Sequence, residues 1–129
     1  MLDIVIIGAG PAGLATALRL HQKGFRPHLY ESVAEIKPLG VGVDIKPYAV
    51  KEITELGLYD AFKAISVEAK ESVFYTGYGQ EIFGELCGKH MGYEYDQRFV
   101  HRGHLQMMLY KAVQERLGND AITLGSRCT

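Results

Sequence analysis

The chain lacks tryptophan, contains only two cysteines and carries a net charge of only −1, and these shortages exclude several classes of protein. Cys87 and Cys128 are far apart and have no metal-type spacing, so we expect two ordinary reduced thiols in a cytoplasmic protein. The near-neutral charge provides no basic surface for nucleic acid or for an anionic membrane. No basic leader precedes the first apolar run, and no run approaches the ~20 apolar residues of a membrane span.

What is present is the composition of a globular domain, with 47% hydrophobic and 22% charged residues in a chain of 129. An apolar run at residues 2–7, helical periodicity from Pro11 and a second apolar run at 27–30 predict a βαβ unit over residues 1–31. Its crossover should be right-handed and its strands parallel. Because the first run is nearly continuous and rich in β-branched residues, we expect its strand to be covered on both faces.

The remaining segments predict a mixed α/β fold with a small hairpin insertion. Residues 67–76 and 81–86 predict two strands around a glycine-rich turn, within an insertion over about 65–100. An apolar face predicts a helix over 103–117 and a strand begins at 121, so residues 103–129 form the last part. A strand this close to the end suggests that residues 1–129 are the N-terminal part of a larger domain.

A glycine-rich loop between the first strand and the first helix predicts a dinucleotide site. Gly8 permits the tight turn, Gly10 lets the backbone approach a pyrophosphate, and Gly13 allows close packing of helix on strand. The helix then presents free N–H groups and the positive end of its dipole to the phosphates. The predicted pyrophosphate-binding residues are Gly8, Ala9, Gly10, Pro11, Ala12 and Gly13.

Glu31 at the end of the second strand supports this interpretation. An acidic residue roughly 20 positions beyond the loop is expected to hydrogen-bond the adenosine ribose. Its negative charge also disfavours the 2′-phosphate of NADP. The loop and Glu31 together do not distinguish NAD from FAD, and a glycine turn without a ligand is the structural alternative.

Three blocks of sequence resemble the class A flavoprotein monooxygenases, the aromatic hydroxylases built like para-hydroxybenzoate hydroxylase. Residues 3–15 resemble the first motif of that family, residues 39–58 its second block and residues 101–109 its third. Within the family, the stretch around Glu31 and residues 36–42 resembles the flavin monooxygenases of phenazine biosynthesis. The resemblance covers essentially the whole chain but only the N-terminal third of a family member.

The resemblance implies a Rossmann-like FAD-binding fold and a role for several residues. The glycine loop would hold the pyrophosphate of FAD, and Glu31 would bind its ribose. The intact family uses NAD(P)H to reduce FAD, and O2 then hydroxylates a small aromatic substrate. No catalytic residue and no metal ligand stands out in this chain. The other residues that the resemblance places at FAD are Val43 and Asp44 along the flavin, Arg102, and Cys128 near the adenine.

Two departures from the family leave other functions open. Ser32 stands where many relatives carry an arginine, and the family's Gly-Asp motif, which completes the flavin site, is absent. One alternative is part of an NAD-binding Rossmann oxidoreductase. Another is a non-catalytic product that binds FAD without turnover and self-associates through an exposed sheet edge.

Four tyrosines in the middle of the chain have two interpretations. They either line an aromatic pocket over the flavin or are ordinary sheet and core residues, and the second is the commoner case for tyrosines in hairpins. The residues are Tyr75, Tyr78, Tyr93 and Tyr95.

Overall fold

A computed structural model describes residues 2–129 and divides the chain into two compact units. The first contains the chain up to Val41 together with Arg102–Thr129, and the second is Gly42–His101. The elements in chain order are β1 (Val5–Ile7), α1 (Pro11–Gln22), β2 (His28–Tyr30), β3 (Gly42–Ile45), α2 (Pro47–Glu55), α3 (Tyr59–Ala64), β4 (Ser66–Ala69), β5 (Glu71–Tyr75), β6 (Glu81–Leu86), β7 (Gln97–His101), α4 (Arg102–Leu117) and β8 (Ile122–Thr123), with 3-10 turns at Gly88–Met91 and Asn119–Ala121.

The first unit is built on a parallel sheet with the strand order β1-β2-β8. Leu29 in the central strand pairs with Ile6 on one side and with Ile122 on the other, and its side chain is completely buried. The β1-α1-β2 segment is thus the parallel βαβ unit that the hydrophobic pattern predicts. Helices α1 and α4 pack against each other in this unit, with Leu18 and Val113 among their fully buried side chains.

The prediction that the first strand is covered on both faces is wrong. Val5 is 56% exposed and Ile7 is 59% exposed, although both are apolar and β-branched. Ile6 points the other way, and a Cβ placed at Gly13 of α1 would lie 3.4 Å from its Cγ2 atom. Strand β1 is an edge of the described sheet. Its Ile6 face packs against helix α1. Its other face carries the apolar side chains of Val5 and Ile7, and the described residues leave them exposed.

The second unit contains two antiparallel sheets, β3-β7-β4 and β5-β6. The single strand predicted over residues 67–76 is wrong, because this stretch forms β4, which pairs with β7, and β5, which pairs with β6. The chain changes sheet at Lys70, whose carbonyl accepts a hydrogen bond from the Cys87 N–H at 2.8 Å. The insertion predicted over about 65–100 lies inside this unit, which begins at Gly42.

The chain leaves and re-enters the first unit at neighbouring positions. Arg102 donates its backbone N–H to the Val41 carbonyl at 2.9 Å within the first unit. In the second unit, Gly42 pairs with His101 at the end of the β3–β7 ladder. Strand β7 continues into helix α4 without an intervening loop.

A buried ion pair organises the second unit. Arg98 and Asp96 are both buried, and the Arg98 Nη1 atom lies 2.7 Å from Asp96 Oδ2. The Tyr59 hydroxyl donates to the same carboxylate oxygen at 2.9 Å, and Arg98 Nε donates to Ser66 Oγ at 2.7 Å. Burial of the hydroxyl and its bond to the carboxylate raise the pKa of Tyr59. The network ties α3, β4 and β7 together through polar groups that need one another in a dry interior.

We expect Asp96→Asn to destabilise the protein by about 3 kcal/mol, because it leaves the buried guanidinium of Arg98 without a counter-charge. Urea unfolding at neutral pH measures this loss. Lys51→Gln is the control, since it breaks an exposed ion pair with Glu55 in α2 and should cost less than about 0.5 kcal/mol. Equal midpoints for wild type and Asp96→Asn would contradict the assignment of this pair as a structural element.

Candidate functional site

The glycine loop joins β1 to α1 in the backbone conformation that a tight turn requires. Gly8 has φ +101°, a value that favours glycine, and its N–H donates to the Tyr30 carbonyl at 2.8 Å. Gly10 is the N-cap of α1, and Pro11 is the first helical residue. Proline has no N–H group. The N–H groups of the next residues in the first turn have no helix carbonyl four residues before them to bond, so the start of α1 presents free donors.

The other two glycines differ, because Gly13 has no room for a Cβ, whereas a Cβ at Gly10 would make only ordinary van der Waals contact. A Cβ at Gly13 would collide with the carbonyl oxygen of Gly8, so helix and turn touch backbone to backbone. A Cβ at Gly10 would lie 3.9 Å from Nη2 of Arg102. The loop therefore leaves a backbone-lined surface facing a guanidinium, which is the environment that a pyrophosphate requires.

Glu31 lies directly beside the loop. Its Oε2 atom accepts the backbone N–H of Ala9 at 2.7 Å, and its Oε1 atom accepts the Ser32 hydroxyl at 3.0 Å and the Val33 N–H at 3.1 Å. The Ala9 N–H is the largest cause of a lowered pKa of Glu31, with smaller contributions from Val33 and Ser32, while partial burial opposes the shift. The carboxylate is therefore held in its ionised form.

The segment after β8 runs beside Glu31. The Ser126 N–H donates to the Glu31 carbonyl at 2.8 Å, and the Gly125 N–H donates to the Val33 carbonyl at 2.8 Å. Cys128, two residues beyond Ser126, is exposed. The side chain of Cys128 itself makes no contact that defines a site.

Arg102 and Gln106 complete the surroundings of the loop from helix α4. Both line a cavity of about 350 Å³, together with Gly10 and Glu31. Gln106 donates its Nε2 N–H to the Ala9 carbonyl at 2.8 Å. The sequence prediction missed Gln106, although it lies four residues after Arg102 and such a spacing places two side chains on the same helix face. The remaining lining residues are Val33, Glu35, Ile36, Lys37 and Leu39.

These features of the first unit fit the pyrophosphate and ribose of a dinucleotide. The free N–H groups of the helix start and the Arg102 guanidinium suit an anion. The ionised carboxylate of Glu31 accepts three hydrogen bonds within the protein and has an acceptor site left for a hydroxyl donor. The structure thus brings together the glycine loop, Glu31 and Arg102, as the sequence predicts.

The two residues expected along the flavin lie in the second unit. Val43 pairs with Val100 in the β3–β7 ladder and is half-buried. Asp44 accepts a hydrogen bond from Gln97 Nε2 at 2.9 Å and lies 2.8 Å from Lys46 Nζ. The hydrogen bond to Asp44 raises the pKa of Lys46, so the lysine keeps its charge at neutral pH.

Asp44 also lines a cavity of about 720 Å³ in the second unit, and five of the residues that line this cavity are aromatic. Tyr93 and Tyr95 belong to these walls, whereas Tyr75 and Tyr78 do not. Tyr75 is a sheet residue in β5, whereas Tyr78 is 95% exposed and Tyr93 56% exposed outside the strands, so the interpretation as sheet and core residues is wrong for these last two. The other aromatic residues at this cavity are Tyr48, Phe74 and Phe99.

Two structural features are absent from residues 2–129. No group of three or more histidine, cysteine or acidic side chains in this range is arranged to hold a metal ion. Helices of the length and apolarity that a bilayer crossing needs are also absent from it.

Comparison with known proteins identifies the family. The model of the FAD binding domain family matches residues 1–119. The phenazine 1,6-dicarboxylic acid hydroxylase PhzS of Lysobacter antibioticus is 44% identical over 126 residues, which are 97% of this chain and 31% of that protein. The 3-hydroxybenzoate 6-hydroxylase of Polaromonas naphthalenivorans is 30% identical, over 88% of this chain and 29% of that protein.

Solved structures agree on the fold. The p-nitrophenol 4-monooxygenase PnpA of Pseudomonas putida DLL-E4 matches with a TM-score of 0.84 at 21% identity, over 97% of this chain and 32% of that chain. FqzB matches with a TM-score of 0.81 at 28% identity, over 99% of this chain and 30% of that chain. The chain spans about a third of the length of these relatives. The chain belongs to the FAD binding domain family, and flavin-dependent hydroxylases are among the proteins that it resembles.

Proposed function

We propose that the first unit holds the ADP half of FAD and that the chain is the FAD-binding part of a flavin-dependent aromatic hydroxylase. The observation that carries this proposal is the convergence of the glycine loop, Glu31, Arg102 and Gln106 on one cavity. Backbone N–H groups and a guanidinium on one side and an ionised carboxylate on the other match the two ends of an ADP group.

Each residue has a distinct role in this proposal. The N–H groups of Gly10, Ala12 and Gly13 donate to the pyrophosphate, and Arg102 neutralises its charge. Glu31 accepts hydrogen bonds from the ribose hydroxyls. Val43 and Asp44 lie along the flavin, and the backbone near Cys128 lies beside the adenine; these assignments rest on the family resemblance. Ala9 and Pro11 shape the loop.

When bound, FAD supplies the redox chemistry that no side chain of this chain offers, with NAD(P)H as the reductant and O2 as the oxidant. The protein's own contribution is binding, orientation and electrostatics. Two relatives are named for the hydroxylation of phenazine 1,6-dicarboxylic acid and 3-hydroxybenzoate, which supports a small aromatic substrate here. The widely spaced cysteines support a cytoplasmic location.

Retention of FAD tests this proposal. The purified chain is mixed with FAD, free cofactor is removed, and the visible spectrum is recorded; we expect the absorbance of oxidised flavin to remain with the protein. Gly10→Val should weaken FAD binding about 10- to 100-fold, because the branched side chain occupies the surface between the loop and Arg102. Gly77→Val is the control, since that turn glycine faces open space.

The same experiment with NAD separates the main alternative. Retention of NAD without retention of flavin would overturn the proposal in favour of an NAD-binding oxidoreductase.

Oxidation of NAD(P)H in the presence of aromatic compounds reports on turnover, and we expect this chain alone to show negligible hydroxylation. Substrate-dependent turnover would refute that expectation while leaving FAD binding intact.

The lowered pKa of Glu31 predicts how FAD affinity depends on pH. The carboxylate stays ionised to a pH below the ordinary value of 4.5, so wild-type affinity holds from neutral pH down and is lost as the pH falls through the lowered pKa. At neutral pH, Glu31→Gln should bind FAD about tenfold more weakly, because one charged acceptor is gone. Fluorescence titration should show this difference unchanged from pH 7 down to the ordinary value of 4.5 and shrinking only at lower pH.

Glu35→Gln is the matched control for this titration. Glu35 lines the same cavity, but its carboxylate is exposed and lies 3.3 Å from Lys37 Nζ. Its substitution should leave FAD affinity within about twofold of wild type at every pH, since exposed ion pairs contribute little. A difference between wild type and Glu31→Gln that does not change with pH would contradict the role of the ionised carboxylate.

We also propose that the free edge of strand β6 pairs with a second copy of the chain. All six residues of β6 are exposed, and among residues 2–129 only β5 pairs with this strand. Antiparallel pairing of two β6 strands about a point between Phe83 and Gly84 would place Glu81 opposite Leu86 and Glu85 opposite Ile82. In this register each glutamate faces an apolar side chain of the other copy and not a second carboxylate.

Sedimentation analysis should therefore show a concentration-dependent dimer. Ile82→Lys should shift it to monomer, because a lysine on an edge strand blocks pairing. Tyr78→Lys is the control, since Tyr78 is 95% exposed but lies in the turn outside the strand. A monomer at every concentration, or equal dissociation in both variants, would refute the pairing.

A further inference from the structure

We infer that Gln106 is a positioning residue for the glycine loop. Its side-chain amide holds the Ala9 carbonyl and thereby fixes the peptide group whose N–H faces the ligand. The identity of the ligand as FAD rests on the proposed function, whereas the effect of Gln106 on the loop does not depend on it.

The backbone of Ala9 is held from both sides by side chains. Its N–H donates to Glu31 Oε2 at 2.7 Å, and its carbonyl accepts the Gln106 Nε2 N–H at 2.8 Å. The residue itself is completely buried. These two partners lie 22 and 97 positions away in the chain, so the conformation of the loop depends on the packing of α4 and not only on its local sequence.

The hydrogen bond from Gln106 to the Ala9 carbonyl also sets the direction of the Gly10 N–H. The Ala9 carbonyl and the Gly10 N–H belong to one planar trans peptide, so they point in opposite directions. A hydrogen bond that holds the carbonyl towards α4 therefore aims the Gly10 N–H away from α4 at the start of α1. Fixing one end of the peptide fixes the other.

The flanking glycines explain why such an anchor is needed. Gly8 and Gly10 lack a Cβ, so the backbone on either side of Ala9 can rotate with little steric resistance. The bond between the Ala9 N–H and Glu31 restrains the peptide before Ala9, and the bond from Gln106 restrains the peptide after it. A loop that is already ordered loses less conformational entropy when a pyrophosphate binds.

Amide hydrogen exchange of the full-length chain without cofactor tests this role directly. Gln106→Met keeps the length of the side chain but removes its donor, and we expect exchange to accelerate several-fold at residues 8–13. Gln114→Met makes the same chemical change on the same helix, away from the loop, and should leave exchange at these residues at the wild-type rate. Gln106→Glu is a second variant, because an ionised carboxylate offers no donor either.

Binding of ADP and FAD distinguishes positioning from direct contact with the flavin. Gln106→Met should weaken both ligands by the same factor, about threefold to tenfold, because the loss acts through the pyrophosphate loop. Weaker FAD with unchanged ADP would overturn the proposal and assign Gln106 to the flavin. Unchanged exchange at residues 8–13 in both Gln106 variants would overturn it as well.

These outcomes are distinguishable from a failure of the proposed function. If the wild-type chain binds neither FAD nor ADP, the FAD assignment falls, while the exchange experiment still decides whether Gln106 anchors the loop. Circular dichroism and thermal unfolding of each variant identify a folding defect. If Gln106→Met unfolds, Gln106→Glu supplies the exchange and ligand measurements.

Discussion

The hydrogen bond between the Ala9 N–H and the Glu31 carboxylate is the interaction on which the site depends. It joins the turn after β1 to the end of β2, two places that are adjacent only because the strands are parallel and paired. The same carboxylate is held in its ionised form, which is the form that accepts hydroxyl donors. Glu31 therefore both restrains the loop at Ala9 and supplies an ionised hydrogen-bond acceptor beside it.

Local rules were sufficient to predict this part of the molecule. The turn at Gly8, the helix start at Pro11 and the acidic residue after β2 each follow from short-range chemistry, and their combination is specific. Gln106 was missed because its contact with Ala9 joins residues that are 97 positions apart in the chain. A side chain that acts across so many residues leaves no local pattern, and only its spacing from Arg102 indicated the shared helix face.

The errors in the fold prediction have a physical cause in common. An apolar, β-branched run indicates that a strand is suited to burial, but not that a covering layer is present, and Val5 and Ile7 remain exposed. Residues 67–76 include β-branched and aromatic residues that favour extended backbone, yet only tertiary pairing decides that β4 and β5 join different sheets. Strand propensity describes a segment, whereas coverage and pairing are properties of the whole molecule.

The junction at Val41 and Arg102 determines which part of the chain can change in length without disturbing the rest. The backbone bond between these residues closes the first unit, and the pairing of Gly42 with His101 closes the second. The inserted chain therefore leaves and returns at adjacent points, and the host unit needs no additional span to accommodate it. Loop-closure entropy changes only slowly with length. The sixty-residue unit from Gly42 to His101 is thus free to lengthen, shorten or change its lining while the nucleotide loop keeps its form.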